Sequence, residues 1–356
     1  MAFLHIRNVR IAGVAAGVPR RTYNNLHPDP GSQLNVSGDY SLEDYVKTTG
    51  VLETHTSPTL CTSDLCYEAA EKLIAELGWD KKEIEALIFV SQTPDYILPC
   101  TACILQDRLG LSKECYTYDC GLGCSGWVYG LSEVASLMTT GDIKKALLCV
   151  GDARKRFAGG GRDPLFGAAG TATALVYEDG NDGFKCHYGT DGSGYEAIIT
   201  PAGGCRIPVD EDTFTYEEID GRMYHKGMTR MNGMDVFSFG ISTAPRSVKK
   251  LAEHFGFDYL DADYFVFHQA NMKMNNMIAK KLKLPEDKVP SCMYHFGNTS
   301  SASIPLTIVS QLQGHLSERR RFICCGFGVG LSWGTVMFET ENLVAPQVVL
   351  VDELKE

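Results

Sequence analysis

The chain of 356 residues is long enough for one large core or for two fused halves. With 44% hydrophobic and 22% charged residues it reads as a soluble globular protein, and a net charge of −11 argues against nucleic acid as the main partner. Its thirteen cysteines are odd in number and lack the spacing of a disulfide framework, so they read as free thiols in a reducing compartment.

Residues 4–16 alternate apolar and polar until Gly17, Pro19 and Asn24-Asn25 break the pattern, which predicts a strand and then a loop. Ser41 caps a short helix to about Thr48, and Gly50 opens an extended segment. Ser63 begins a longer helix with Leu65, Ala69, Ala70, Leu73 and Ile74 on one face, stopped at Gly78. Leu87-Ile88-Phe89-Val90 is a continuous apolar run of the buried parallel type. A helix is expected from about Pro99 to Leu109, a strand over Cys115–Tyr118 and a helix over Val128–Met138. Ala146–Val150 and Ala172–Tyr177 read as two further buried strands.

Residues 155–163, with three glycines and flanking basic residues, lack the G-K-[ST] start of a phosphate loop and read as a surface loop. Residues 189–230 show little periodicity and predict loops and short strands. A long helix follows over Asn232–Phe255, then a buried strand Tyr264–Phe267 ending at His268. Asn271–Leu282 reads as a helix, and another runs from the Gly297-Asn298-Thr299-Ser300 cap to about Leu312. Arg321–Cys325 and Leu331–Phe338 are strands about a glycine turn at 326–330. Two halves emerge, 1–180 and 181–356, each alternating strand and helix. This pattern predicts an α/β architecture with helices on both faces of mostly parallel sheets. The amino terminus carries no signal-peptide pattern and no apolar run has membrane-spanning length, so a cytoplasmic location without a membrane span is expected.

The stretch Tyr118-Asp119-Cys120-Gly121-Leu122-Gly123-Cys124-Ser125-Gly126-Trp127 carries the chemistry. It sets Cys124 where a strand turns into a helix. Unpaired N–H groups and partial positive charge there favour a thiolate and are expected to lower the thiol's pKa. Cys124 is therefore the candidate nucleophile. Gly121, Gly123 and Gly126 also spell G-x-G-x-x-G, but no strand ends in an acidic residue at the distance a ribose needs. A Cys, His, Asn order along the chain would also suit a papain-like protease. Cys100 and Cys103 form one C-x-x-C with no second pair, so no metal site is assigned. In open α/β sheets sites form at the carboxyl ends of strands, and Cys124, His268 and Asn298 each follow a strand or open a helix, so they are expected to converge on one site.

Cys124, the run His268-Gln269-Ala270-Asn271, the run Gly297-Asn298-Thr299-Ser300-Ser301-Ala302-Ser303-Ile304-Pro305 and the run Gly326-Phe327-Gly328-Val329-Gly330-Leu331-Ser332-Trp333-Gly334 together resemble the β-ketoacyl-acyl-carrier-protein synthase III family of the thiolase superfamily. The resemblance runs in consistent order from about Gly50 to Phe338 and includes Leu98-Pro99, Phe166-Gly167 and Met231-Asn232-Gly233. It demotes the protease and dinucleotide readings. It implies a five-layer αβαβα fold of two similar halves, a homodimer, and a transferase of fatty acid biosynthesis needing no cofactor. By the same resemblance Cys124 takes an acyl group from acyl-CoA or an acyl carrier protein, and the N–H groups of Cys124 and Val329 form an oxyanion hole. His268 and Asn298 stabilise the enolate formed when malonyl carrier protein loses carbon dioxide. Leu98, Phe166, Met231 and Asn271 are implied to contact substrate, and Lys273 to meet the carrier protein.

Some positions depart from the family. Asp44 and Thr48 stand where members primed by acetyl-CoA commonly carry Trp and Arg, and Leu52 replaces an arginine after the turn. Ala168 replaces the aspartate of an F-G-D-G-A stretch. Two other readings follow from these departures and the fold: an acyltransferase delivering to an alcohol, amine or β-keto acid, and a non-catalytic subunit of an active homologue.

Overall fold

The computed structural model describes residues 2–29, 41–140, 142–154, 162–219 and 222–354. Most of the loop expected at 155–163 lies outside them. The single strand expected over 4–16 is two strands, β1 (Ala2–Ile6) and β2 (Val9–Pro19). The break falls at Asn8, whose φ of 64° is left-handed and whose side chain accepts from Gly180 N–H. Asparagine tolerates that conformation because its short amide bonds locally. After β3 (Thr22–Asn24), α1 (Leu42–Thr49) starts on Ser41, whose hydroxyl accepts from Asp44 N–H, and ends at left-handed Gly50. β4 (Glu53–His55) pairs back onto β3.

Helix α2 (Thr62–Leu77) starts one residue before the expected Ser63, because Asp64 accepts from Cys61 N–H at 2.7 Å. β5 (Ala86–Val90) leads to α3 (Thr101–Arg108). The start of α3 is set by Asp119, which accepts from both Thr101 and Ala102 N–H, a contact from a distant strand that local sequence does not reveal. That strand is β6 (Tyr116–Cys120), followed by α4 (Gly126–Thr140), β7 (Lys145–Asp152), β8 (Ala169–Tyr177) and β9 (Phe184–Thr190). The polar stretch beyond holds only short strands, β10 (Ile198–Ile199), β11 (Glu217–Ile219), β12 (Arg222–Tyr224) and β13 (Arg230–Met231).

Asn232 caps α5 (Gly233–Phe255) by accepting from Met234 and Asp235 N–H. β14 (Tyr264–Phe267) and α6 (Met272–Leu282) fall where expected. α7 (Met293–Phe296) and α8 (Ser303–Gln311) precede β15 (Arg320–Gly328), β16 (Ser332–Thr340) and β17 (Val349–Val351).

The strands form two main sheets, ordered β17-β2-β8-β7-β5-β6 and β1-β9-β16-β15-β14. They are mixed, not mostly parallel as expected. β2–β8–β7 and β9–β16–β15 run antiparallel, whereas β5, β6 and β7 are parallel, as are β14 and β15. One cause is the turn after Gly328, which is too short for a crossover helix and returns β16 beside β15.

Strand periodicity then builds the layers. Ala86, Ile88 and Val90 face α4 and α8, whereas Leu87 and Phe89 face α2 and α3. Across the molecule, Val266 and Cys324 face the same central helices, whereas Phe265, Phe267, Ile323 and Cys325 face α5 and α6. The result is five layers, helix–sheet–helix–sheet–helix, as expected. Trp127 lies fully buried in the central layer and donates to Thr173 Oγ1 at 3.0 Å. Each terminal strand sits in the sheet built mainly by the other half of the chain: β1 edges the five-stranded sheet and β17 the six-stranded one.

Candidate active site

Cys124 lies in the turn between β6 and α4, two residues before the helix begins. The turn after β15 is pressed onto it. The Val329 N–H favours the thiolate of Cys124. At Gly328 a Cβ would stand 2.7 Å from Sγ, and at Gly326 one would stand 2.8 Å from the Cys124 carbonyl oxygen, so both positions exclude a side chain. Ser125 and Ser332 hydroxyls join the two segments at 2.8 Å. The expected lowering of the thiol pKa is not what the structure shows. Burial pushes the Cys124 thiol up, and the Val329 N–H and the charge of Arg154 only partly offset it, with Asp152 adding to the rise.

His268 follows β14 and is buried, its ring edge-on to Phe327 at 5.7 Å. Phe327 thus bridges the histidine to the turn that seats Cys124. Gln269 N–H donates to Ser303 Oγ, which lies 2.8 Å from His268 Nδ1. With the serine hydrogen given to Nδ1, the ring hydrogen sits on Nε2 as a donor. Burial lowers the ring's pKa to about 4, so it is neutral at pH 7. Asn275 Nδ2 donates to the His268 carbonyl at 3.2 Å.

Asn298 is held by a backbone bridge to Phe166: its N–H donates to Leu165 O at 2.8 Å and its carbonyl accepts from Gly167 N–H at 3.1 Å. A Cβ at Gly167 would collide with the Phe296 carbonyl, and Gly297 adopts a left-handed φ of 64°, so glycines permit this approach. Asn298 Oδ1 accepts from Ser300 N–H at 2.9 Å, which orients the amide and leaves Nδ2 as its donor.

Beneath these groups lies Asp152, buried at the end of β7. It accepts from Gln92 N–H at 2.8 Å and from the hydroxyls of Ser91, Thr93 and Ser301. It ties the ends of β5 and β7 to the segment just after Asn298. Asp152, Ser303 and Asn275 were not singled out from sequence. For Asp152 the signal was present, a carboxylate at the carboxyl end of a buried strand.

The remaining candidates scatter. Phe166 is half-buried beside Asn298. Leu98 is 82% exposed and Met231 39% exposed, so neither is enclosed within the single chain as an acyl-pocket wall would be. Leu98 stands on the loop before α3, and Met231 on the short ribbon β10–β13. Asn271 spends its Oδ1 capping α6, accepting from Met274 N–H at 2.8 Å. Lys273 is exposed on the first turn of α6 with its ammonium 5.9 Å from the Phe237 ring centroid.

Residues 118–192 match the family described as 3-oxoacyl-[acyl-carrier-protein] synthase III, and residues 252–340 match that described as its C-terminal part. A β-ketoacyl-[acyl-carrier-protein] synthase III of Syntrophomonas wolfei is 31% identical over 337 residues, 92% of this chain and 96% of the relative. The crystal structure of a 3-oxoacyl-(acyl-carrier protein) synthase from Burkholderia xenovorans is similar at TM-score 0.85 and 35% identity, with 98% of each chain covered. That of a synthase III from Pseudomonas aeruginosa is similar at TM-score 0.79 and 28% identity, covering 95% of this chain and all of the other.

Proposed function

From the premise that the chain belongs to the β-ketoacyl-[acyl-carrier-protein] synthase III family, and so is an acyl-transferring condensing enzyme, we propose how its residues divide the work. Cys124 takes an acyl group from a thioester, with the N–H groups of Cys124 and Val329 holding the oxyanion. A malonyl unit then loses carbon dioxide, and its thioester oxygen, becoming an enolate, is met by His268 Nε2–H and Asn298 Nδ2–H. The enolate carbon attacks the acyl-Cys124 carbonyl, and the sulfur leaves. The carrying observation is the single turn whose Gly328 leaves no room for a side chain against the Cys124 sulfur, whose Val329 N–H favours the thiolate, and whose neighbour Phe327 packs on the histidine. Two neutral, oriented donors stabilise charge that exists only in the enolate, so they accelerate the step instead of merely tightening binding.

In this reading residues 1–180 supply the nucleophile and 181–356 the two donors. Phe166 borders the acyl group. Leu98 and Met231 reach it only if their exposed surfaces are closed over in a homodimer, and Asn271 offers its Nδ2. The open edge of β6 and the exposed Tyr96, Ile97 and Leu98 support such a dimer. Lys273 meets an acyl carrier protein, which delivers the malonyl unit in the cytoplasm.

The test has two parts. Intact mass after incubation with acyl-CoA and acyl-carrier-protein panels should show one acyl group on the wild type and none on Cys124→Ala. Carbon dioxide release from labelled malonyl carrier protein should fall about 10²–10³-fold in His268→Ala and in Asn298→Ala, both of which still load acyl. The double variant should lose little more, because both donors act on one oxygen. No release from a wild type that demonstrably loads would favour transfer to an alcohol, amine or β-keto acid instead.

A further inference from the structure

Arg154 stands two residues beyond Asp152, the last residue of β7. Its guanidinium lies over the Phe166 ring, Cζ 4.8 Å from the centroid. Phe166 is the residue whose backbone bridges Asn298. The cation is exposed, and among the described residues it has neither a carboxylate partner nor a side-chain hydrogen bond. The nearest carboxylate in sequence, Asp152, is already taken by four donors from Ser91, Gln92, Thr93 and Ser301. The charge nevertheless reaches the site, since it acts on the Cys124 thiol. The site therefore presents an open guanidinium fork, held over an aromatic ring whose backbone bridges Asn298, within electrostatic reach of the sulfur that is acylated.

We propose that Arg154 selects the acyl donor, and that the acyl group loaded on Cys124 is a short chain ending in a carboxylate, which the guanidinium receives. The proposal rests on Cys124 being the acyl acceptor. A planar guanidinium matches a carboxylate through two parallel N–H···O bonds, and stacking on Phe166 removes much of the entropy cost of holding it there. The malonyl carboxylate is the poorer candidate. It is the group that loses its charge as carbon dioxide departs, so pairing it with a cation would stabilise the ground state more than the transition state and slow the step. A carboxylate on the donor chain keeps its charge throughout and gains from the contact at every stage.

The experiment compares acyl donors matched in length and offered on one carrier: butyryl against succinyl, and valeryl against glutaryl. The rate of mass gain on Cys124 is followed for the wild type, Arg154→Gln and Arg154→Lys. The wild type should load the carboxylated member faster. Arg154→Gln should cut that preference about 10- to 100-fold, the span of a charge-assisted hydrogen bond. Arg154→Lys, which keeps the charge but not the fork, should restore part of it. A wild type that loads the neutral member at least as fast overturns the proposal, as does a preference unchanged in Arg154→Gln. An equal loss for both members would put the cation on the carrier's phosphate. A preserved preference with reduced carbon dioxide release from malonyl carrier protein would put it on the malonyl carboxylate. Both results overturn the assignment. Failure of every donor to acylate Cys124 would instead bring down the nucleophile reading beneath it.

Discussion

Burial and hydrogen bonding pull the Cys124 thiol in opposite directions, and burial is the larger effect. The thiol therefore sits above its ordinary pKa, and at neutral pH little of it is thiolate. The rate of acyl loading should rise through pH 7–9, about tenfold per unit while the pH stays below the pKa. Loading measured by intact mass across that range checks this; a plateau already reached at pH 7 would contradict it. The decarboxylation step should behave differently. His268 titrates near 4, so carbon dioxide release by preloaded enzyme should show no inflection near pH 6.5. Cys124 drew notice because it sits where a strand turns into a helix, whereas His268 and Asn298 drew notice mainly through the family resemblance of the runs around them. That Leu98 and Met231 face solvent in the single chain was not legible, because side-chain type tells nothing about which loop a residue lands on.

The turn after β15 and the ends of β5 and β7 do the positioning. Gly328→Ala would place a methyl group 2.6 Å from Cys124 Cβ. The nucleophile must move, so acyl loading should be lost while the sheets, which meet elsewhere, keep the fold's circular-dichroism spectrum. A variant that loads normally would show that the turn is looser than its packing indicates. Asp152→Asn tests the other anchor. The change keeps shape but weakens bonds from four donors, and stability to urea should fall by about 1–3 kcal/mol. Asp152 also disfavours the thiolate by its charge. Removing that charge should move the pH profile of loading to lower pH, an effect that a merely structural aspartate would not produce. Among the elements themselves, β14, α5 and α6 were readable to within a residue or so, since their caps and stops lie within their own sequence. The start of α3 was not, because its cap comes from Asp119 on β6.

Taken as one molecule, the protein should be sensitive to acid. His268 and His187 are both held near pKa 4, chiefly by burial, and His55 is lowered too. The unfolded chain binds protons at these histidines near pH 6.5 and the folded chain does not, so unfolding takes up protons between about 6.5 and 4. Stability should fall as pH drops through that window and be flat for these groups above it. Urea denaturation at pH 7, 6 and 5 gives the slope, and His187→Gln should reduce it without touching the proposed site. The sequence by itself determined the alternation of strand and helix, because period, caps and glycine breaks are local and survive in any context; the five layers were expected from the family resemblance of the motifs. It did not determine strand direction, the split of residues 4–16 between two sheets, or the thiol's raised pKa. Those depend on which surfaces come together: β1 and β2 diverge at Asn8 because their partners lie in different sheets, and Cys124 loses solvent because a turn some two hundred residues away closes over it. Desolvation and pairing are properties of the assembled fold, and only the tertiary structure decided them.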